Sequence, residues 1–386
     1  MESLAVAGEK AGRKLGLEVI ASGRVYRNPK PYLRSIHAIH PSLLVVSETE
    51  MVVTFDIGEG PESMDYHTVL ARSKDAGLTW ELEGRILTQE PERKSTHSIR
   101  TTLLSSGRVF GIGAFYYRDD EEEGIFNRQN LGLVPMDLFV ISSDDLGRTW
   151  SEPRIVQPPI ASPAWEASHA PLELDGGRIG IPLSTWRGWD GDLSCGQQSV
   201  VIFSEDGGAT WPRYSRTFDG RLTGFIHWEQ CVIERDGDLL AVAWEYDSRE
   251  EKSRPSVFST GVGFPPSFAP AAPTGFLGET CEILALDDWS VLAVYRRADQ
   301  PGLWATIAHV RDGVWRNQLS LPLWTGSGSR MASASNGADG LSDLKFGSPS
   351  MKMLPDGSIL VVFWCHEDGV SNIRWIKLGI DRSHVG

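Results

Sequence analysis

Seven of the nine histidines occur beside short apolar runs, at points where glutamates and arginines also occur. Imidazole and carboxyl groups held at one site can move protons to and from a substrate, which is general acid–base catalysis. Arginines add the paired donors that bind carboxylates. The histidines are His37, His40, His67, His97, His169, His227 and His366. These residue types predict a site for proton transfer, provided that the fold brings the apolar runs together at one end.

The apolar runs are six pairs of short strands rich in Val, Ile and Leu. A polar turn, often Asp-Gly, separates the two halves of each pair, and this arrangement is a strong β-hairpin signal. The pairs recur about every 50 to 70 residues, a period typical of repeat architectures. They span residues 40–55, 99–115, 169–183, 229–244, 281–295 and 349–364.

A second repeat, S-x-D-x-G-x-T-W, follows three of these hairpins at 73–80, 143–150 and 204–211. Its Ser and Asp side chains can accept backbone N–H groups in a turn, its Gly supplies a positive φ, and its Trp can be buried between sheets. The two repeats together imply about four strands per unit, and radial repetition of such sheets gives a propeller. We therefore predict an all-β, six-bladed β-propeller that forms a single domain over 1–386, with 1–22 as a possible N-terminal extension.

The bulk composition excludes some partners. The 386-residue chain carries 51 acidic and 37 basic residues, a formal net charge of −14. We therefore expect it to bind neither nucleic acid nor an anionic membrane surface, since both require a cationic face. The sequence contains no run of about 18 apolar residues, so no membrane span is expected. The N-terminus lacks the features of a signal peptide, so a cytoplasmic location is expected. The sequence leaves the oligomeric state open.

In a propeller built from hairpins, the first strand begins and the second strand ends at the same end of each sheet, which we call the mouth. Counting back eight or ten residues from each hairpin turn selects side chains on one strand face, because strand side chains alternate with period two. Two groups of residues are predicted to meet there. By this count the first strands contribute His97, His169, His227, Glu229 and Glu279, and neighbouring positions add Arg100 and Glu166. The second strands end near Trp186, Arg187, Tyr246, Arg296 and Arg297.

Polar groups of both signs that converge on a concave surface are the usual mark of a binding site. The arginines could hold a carboxylate, and the aromatic rings offer apolar faces to sugar rings. A metal ion is the weaker interpretation, because no H-x-H or H-E-x-x-H spacing is present. We therefore predict a carbohydrate partner, and neither a metal nor another cofactor.

The S-x-D-x-G-x-T-W turns resemble the Asp boxes of the sialidase (neuraminidase) superfamily, also called BNR-repeat proteins, and the resemblance extends over essentially the whole chain. It implies a site with three arginines for a substrate carboxylate, a Tyr nucleophile activated by a Glu, and an Asp acid/base on a loop. Glu229, in the run HWEQ, matches the family's Glu, and Asp65 falls where its loop Asp would be. Arg296 or Arg297 matches one arginine.

The sequence departs from the family pattern at three points. Residues 39–41 (IHP) stand where the family has Arg-Ile-Pro, so the first arginine is missing. Residues 244–246 (WEY) replace another arginine, and 346–350 (FGSPS) lack the Tyr nucleophile. The residues therefore do not predict the family's usual chemistry on sialic acid.

Three functions remain open. The one we favour is an exo-acting glycoside hydrolase for an acidic glycan or glycoside, with Glu229 as base or activator of a nucleophile and Asp65 or His169 as proton donor. The second is an oligosaccharide or polysaccharide lyase, in which an Arg or a metal neutralises a uronate carboxylate and a His removes the C5 proton. The third is a propeller that binds carbohydrate without catalysis.

Overall fold

Strands and turns form the regular structure of the computed structural model, which describes residues 14–88, 91–221, 223–326, 345–367 and 369–384. The apolar stretches are short and are separated by Gly- and Asp-containing turns, so they pair locally as antiparallel strands. The described residues contain 27 strands in six antiparallel sheets. Within the same residues, no helix is long and apolar enough to cross a membrane.

Each sheet is one blade, and the blades follow one another along the chain. Blade 1 contains β2 (His37–Val45), β3 (Met51–Gly58), β4 (His67–Ser73) and β5 (Glu81–Arg85). Blade 2 contains β6 (Ser95–Leu103), β7 (Val109–Tyr117), β8 (Met136–Ser143) and β9 (Arg154–Ile155). Blade 3 contains β10 (Ala164–Glu166), β11 (Leu172–Leu174), β12 (Arg178–Trp186), β13 (Gln198–Ser204) and β14 (Arg213–Asp219).

The second half of the chain repeats this pattern. Blade 4 contains β15 (Phe225–Arg235), β16 (Asp238–Asp247), β17 (Lys252–Ser253), β18 (Val257–Val262), β19 (Ser267–Phe268) and β20 (Ala272–Pro273). Blade 5 contains β21 (Gly278–Ala285), β22 (Ser290–Arg297), β23 (Leu303–Arg311) and β24 (Val314–Trp324). Blade 6 contains β25 (Phe346–Met353), β26 (Ile359–Glu367), β27 (Val370–His384) and β1 (Lys14–Tyr26). The predicted six-bladed, all-β architecture is confirmed.

The two ends of the chain meet in blade 6. Strand β1 pairs antiparallel with β27, so the first described strand completes the last sheet and closes the ring. Closure protects the edges that an open sheet would expose. Residues 14–22, which the sequence left as part of a possible extension, lie within β1 and belong to the propeller. Residues 1–13 lie outside the described residues.

The innermost strands of four blades share an irregularity. In β2, β15, β21 and β25, the pairing with the second strand shifts at a bulge. Each bulge contains one residue with positive φ, and such bulges re-aim side chains next to functional sites. The four residues are His40 (φ 53°), Glu229 (φ 50°), Thr280 (φ 50°) and Ser348 (φ 45°).

The repeated S-x-D-x-G-x-T-W segments are turns at the outer edge, joining the third and fourth strands of blades 1 to 3. In the turn after β4, Asp75 Oδ1 accepts the backbone N–H of Thr79 at 2.8 Å, and Ser73 Oγ accepts the N–H of Gly77 at 2.9 Å. Gly77 has φ +85° and its carbonyl accepts the Trp80 indole N–H at 2.9 Å. The side chains therefore satisfy the turn's own backbone, as the sequence predicts.

Candidate functional site

A fully buried carboxylate, Asp56, lies at the mouth on β3. Its Oδ1 accepts Thr68 Oγ1 at 2.6 Å, and its Oδ2 accepts Ser98 Oγ at 2.8 Å and Arg100 Nη1 at 3.0 Å. Burial alone would raise the pKa of Asp56, but the Arg100 charge and the hydrogen bonds outweigh it, so the pKa lies well below its usual range. Asp56 is therefore buried and ionised at neutral pH.

His40 and Tyr66 complete this network. The Tyr66 hydroxyl donates to Asp56 Oδ2 at 2.9 Å, and His40 Nδ1 lies 3.0 Å from the Tyr66 oxygen and 3.3 Å from Asp56 Oδ2. The His40 side chain is 36% exposed, so its ring reaches solvent while one nitrogen is held from below. Burial and the Arg100 charge lower the pKa of His40. The ring is therefore neutral at pH 7 and able to accept a proton.

Two further carboxyl groups, those of Glu166 and Glu229, lie on blades 3 and 4. The backbone N–H of Glu229 donates to Glu166 Oε2 at 3.3 Å, while Glu229 Oε2 and Glu166 Oε1 are buried without a hydrogen-bond partner among the described residues. Burial raises the pKa of both groups, and that of Glu229 reaches about 8 despite the nearby Arg296 charge. Glu229 therefore keeps its proton at neutral pH.

The buried ion pair between Arg296 and Glu279 limits how far the Arg296 charge can lower the pKa of Glu229. Arg296 Nε donates to Glu279 Oε2 at 2.9 Å, and its Nη1 donates to the Phe346 carbonyl at 3.1 Å. A Cβ at position 347 would lie 2.7 Å from Arg296 Nη1, so Gly347 is what lets the guanidinium reach blade 6. The charge that could neutralise Glu229 is therefore shared with a closer carboxylate.

Aromatic side chains form one wall of the mouth. Trp228 packs edge-on against Trp186 and Trp244, with ring centroids 5.3 and 4.6 Å apart, and stacks on Tyr246 at 5.7 Å. The Trp228 indole N–H and the Tyr246 hydroxyl are buried without a hydrogen-bond partner among the described residues. Trp186, Trp244 and Tyr246 are buried and Trp228 is half-buried, so Trp228 is the ring of this wall that a ligand could reach.

Two cavities lie along the central axis of the propeller. The smaller, about 30 Å³, is lined by Arg100, Glu229, Thr280 and Ser348 among others, and has room for water but not for a sugar. A glycan would therefore have to bind outside it, at the mouth. The larger cavity, about 730 Å³, lies at the opposite end, near the hairpin turns that contain Asp175 and Asp236.

The structure brings together most of the predicted site residues. Arg100, Glu166, Glu229, Glu279 and Arg296 meet around the axis, with Trp186 and Tyr246 in the wall. His169 lies nearer the hairpin turns, where its Nε2 is 3.4 Å from Glu282 Oε2. Burial lowers the pKa of His169 to about 4, so its ring is neutral at pH 7.

Other predicted residues lie away from the axis, in contacts of their own. His97 is buried between blades 1 and 2, where Nε2 accepts the Thr68 N–H at 3.4 Å, and Arg187 Nη1 donates to the Asn130 carbonyl at 2.9 Å. Arg297 pairs with Asp299 at 2.6 Å and lies over the Trp304 ring. Asp65 is exposed on a loop, where it accepts Ser63 Oγ at 2.6 Å.

His227 is displaced from the axis because the fourth hairpin is shorter. Arg235 pairs with Asp238 across a two-residue turn, whereas the hairpins of blades 1, 5 and 6 enclose five residues. Counting back ten residues from the turn therefore selects a position one residue too early in blade 4. Trp228, and not His227, occupies the position that Glu279 has in blade 5. His227 instead stacks on Phe218 at 5.1 Å, with Nε2 3.2 Å from Glu245 Oε2.

Sequence reasoning missed Asp56, Tyr66 and Ser98. A signal for Asp56 was present, because this acid interrupts the otherwise apolar strand MVVTFDIG and fully buried acids are rare unless they are paired. Tyr66 directly follows the predicted Asp65 in the loop before β4, where the tyrosine is buried and the aspartate is exposed.

Comparison with solved structures identifies the fold. A protein of unknown function from Dyadobacter fermentans is similar over 95% of this chain and 100% of that one, with a TM-score of 0.73 and 20% identity. A lysine-to-glycine variant of NanB sialidase from Streptococcus pneumoniae matches 92% of this chain and 70% of its own, with a TM-score of 0.62 and 11% identity. The intramolecular trans-sialidase from Ruminococcus gnavus matches 89% of this chain and 94% of its own, with a TM-score of 0.61 and 13% identity.

The sequence itself matches no protein-family model and no curated protein. At such low identities the structural likeness shows the fold and not the activity. The chain therefore has the fold of the sialidase-like six-bladed β-propellers.

Proposed function

We propose that the protein is an exo-acting glycoside hydrolase that binds its glycan at the mouth of the propeller. The observation that carries this proposal is the pair of carboxyl groups with opposite protonation, Glu229 and Asp56. Enzymes that hydrolyse glycosides use one carboxylic acid to protonate the leaving group and a second, ionised group as base or nucleophile. Groups whose pKa values are pushed apart in this way indicate the acid and base roles.

In this proposal Glu229 is the acid, and not the base or activator that the sequence suggested. It donates the proton to the glycosidic oxygen, because burial holds its pKa at about 8. Neutral His40, oriented by Asp56 and Tyr66, takes a proton from the attacking water. Trp228, the half-buried ring of the aromatic wall, stacks on the sugar. Asp65 stays a prediction as an additional acid/base group, since it is exposed on a loop at this end of blade 1.

An acidic sugar gains less from the arginines than the sequence suggests. Arg100 already donates to Asp56, and Arg296 already donates to Glu279. A substrate carboxylate would have to share these donors. Neutral glycosides therefore belong in the test beside acidic ones.

A lyase is the second candidate, and the position of His40 favours it. This imidazole is neutral and partly exposed, so it can remove a proton from carbon as well as from water. The two reactions differ in their products, because elimination leaves an unsaturated sugar and adds no water.

The test is a reaction screen on sialosides, uronic-acid disaccharides and neutral glycosides, with product mass and ultraviolet absorbance recorded together. We expect a product heavier by one water, and Glu229→Gln should lower the rate by at least about 100-fold. The exposed Glu152→Gln is the matched control and should leave the rate unchanged. New absorbance without added water would show a lyase, while saturable binding without turnover would show a sugar-binding propeller.

A further inference from the structure

Three potential metal ligands meet near the central axis of the propeller, and all three line the 730 Å³ cavity. His169 comes from blade 3, Cys231 from β15 and Glu282 from β21, and their ligand atoms all lie within 4.8 Å of one another. Cys231 and Glu282 are each two residues or more nearer the hairpin turns than Glu229 and Glu279. The three ligands therefore lie about 7 Å from Glu229 and Glu279 along the strands, because a strand rises about 3.3 Å per residue.

The spacing of the three groups matches one coordination geometry. Tetrahedral Zn²⁺ binds nitrogen, oxygen and sulfur ligands at about 2.1, 2.1 and 2.3 Å, which places neighbouring ligand atoms about 3.4 to 3.6 Å apart. His169 Nε2 lies 3.4 Å from Glu282 Oε2, and Cys231 Sγ lies 3.4 Å from the same oxygen. These distances already correspond to two edges of such a tetrahedron.

The chemistry of the three groups also suits a cation. His169 Nδ1 is buried without a hydrogen-bond partner among the described residues, and its Nε2 faces the Glu282 carboxyl group. Cys231 is buried and Glu282 is half-buried, so both acidic groups lie away from bulk water. A divalent ion would deprotonate the thiol and the carboxyl group and offset the cost of burying them.

We propose that His169, Cys231 and Glu282 bind a zinc ion, with the fourth position open to the axial cavities. A mixed nitrogen, sulfur and oxygen set is typical of zinc. Three protein ligands with a fourth position left for water or substrate are typical of sites that are not purely structural. The ion would join blades 3, 4 and 5 at the axis. The site does not depend on the proposed glycosidase activity, because its ligands are distinct from Glu229, His40 and Asp56.

Cobalt(II) substitution tests the proposal with an optical signal. The full-length protein is stripped with chelator, titrated with Co²⁺ or Zn²⁺, desalted and analysed for bound metal. We expect about one ion per chain, a cobalt–thiolate charge-transfer band, and intense visible bands of tetrahedral cobalt. Cys231→Ser should remove the charge-transfer band, and Glu282→Gln should weaken binding by at least about 100-fold, since even an outer partner is worth about 10- to 100-fold.

The matched control is Cys365→Ser, which changes a fully buried free cysteine on β26 in blade 6. This variant should bind cobalt with the same stoichiometry and the same charge-transfer band as the unmodified chain. Circular dichroism and thermal unfolding of each metal-free variant show whether it is folded before titration. Absence of binding by the unmodified chain, or an unchanged charge-transfer band in folded Cys231→Ser, would overturn the proposal.

Discussion

The two sides of the mouth hold the same functional group in opposite states. On blade 1, Asp56 is fully buried, yet hydroxyl, imidazole and guanidinium groups surround it and keep it ionised. On blade 4, the Glu229 carboxyl has a buried oxygen without a partner, and its pKa rises to about 8. Burial acts in the same direction on both acids, so the difference comes from the partners that each receives.

The positions of the two buried arginines create this asymmetry. Arg100 extends from β6 to Asp56 and also donates to the Ser168 carbonyl of blade 3 at 3.2 Å. Arg296 is committed to Glu279 on its own hairpin. One acid therefore has a cation to itself, whereas the other lies near a cation that is already neutralised. The charge pairing, more than the degree of burial, separates the ionised carboxylate from the protonated one.

Removing the cation on the ionised side should have the largest effect on stability. Arg100→Met leaves Asp56 buried without its countercharge, and loss of one partner of a buried ion pair costs about 3–5 kcal/mol. Because the folded pKa of Asp56 is depressed, the stability it contributes is present above the unfolded pKa of about 4 and is lost below it. Urea unfolding should therefore show the full deficit at pH 7 and a smaller one near pH 3. A loss below about 1 kcal/mol at pH 7 would show that the hydroxyl donors suffice.

Removing the acid on the protonated side should instead stabilise the protein at alkaline pH. The folded state retains the Glu229 proton that the unfolded chain releases above about pH 4.5, so this group's contribution falls as pH rises through about 8. Between pH 6.5 and 8 the loss amounts to about 1.4 kcal/mol per pH unit for one proton, or about 2 kcal/mol.

Unfolding free energies of the unmodified chain and Glu229→Gln at pH 6.5 and 8 measure this difference. The variant should lose less stability over that interval. Glu282, whose pKa burial raises to about 7, adds a loss of the same sign in both proteins, so the comparison isolates Glu229. Parallel curves for the two proteins would show that Glu229 is already ionised in the folded state.

The periphery and the axis differ in how far the sequence reveals them. The turn around Asp75 recurs around Asp145 and Asp206 with the same hydrogen bonds, because each turn satisfies itself through local side chains. Local interactions of this kind are visible in a short motif, and with the hairpins they predict the six blades. The sequence analysis did not predict the long strand β1, because its pairing with β27 joins opposite ends of the chain.

At the axis, the partners lie far apart in sequence. Arg100 and Asp56 are 44 residues apart, and His169 and Glu282 come from different blades. The sequence does show which charged residues stand at strand ends, and this is how Arg100, Glu229 and Arg296 were predicted. Which acid receives which arginine depends on the bulges and on one shortened turn, and no local pattern gives that register.

Glu279 competes with Glu229 for the Arg296 charge, and removing this carboxylate should shift the asymmetry. Glu279→Gln leaves Arg296 without its ion-pair partner, so the guanidinium becomes available to Glu229. We expect the pKa of Glu229 to fall by at least about one unit, equivalent to about 1.4 kcal/mol. The carboxylic-acid stretch in infrared difference spectra against Glu279→Gln/Glu229→Gln follows this titration. An unchanged midpoint would mean that burial alone sets the pKa.

The smallest effect is expected at the neighbouring arginine. Arg297 carries the same charge one residue along β22, but it pairs with Asp299 near the surface and lies over Trp304. Surface ion pairs contribute about 0–1 kcal/mol, so Arg297→Met should change the unfolding free energy by no more than that. It should also leave the titration midpoint of Glu229 in place. A shift of that midpoint as large as in Glu279→Gln would mean that the mouth responds to total charge, and the assignment of separate partners to its two sides would fail.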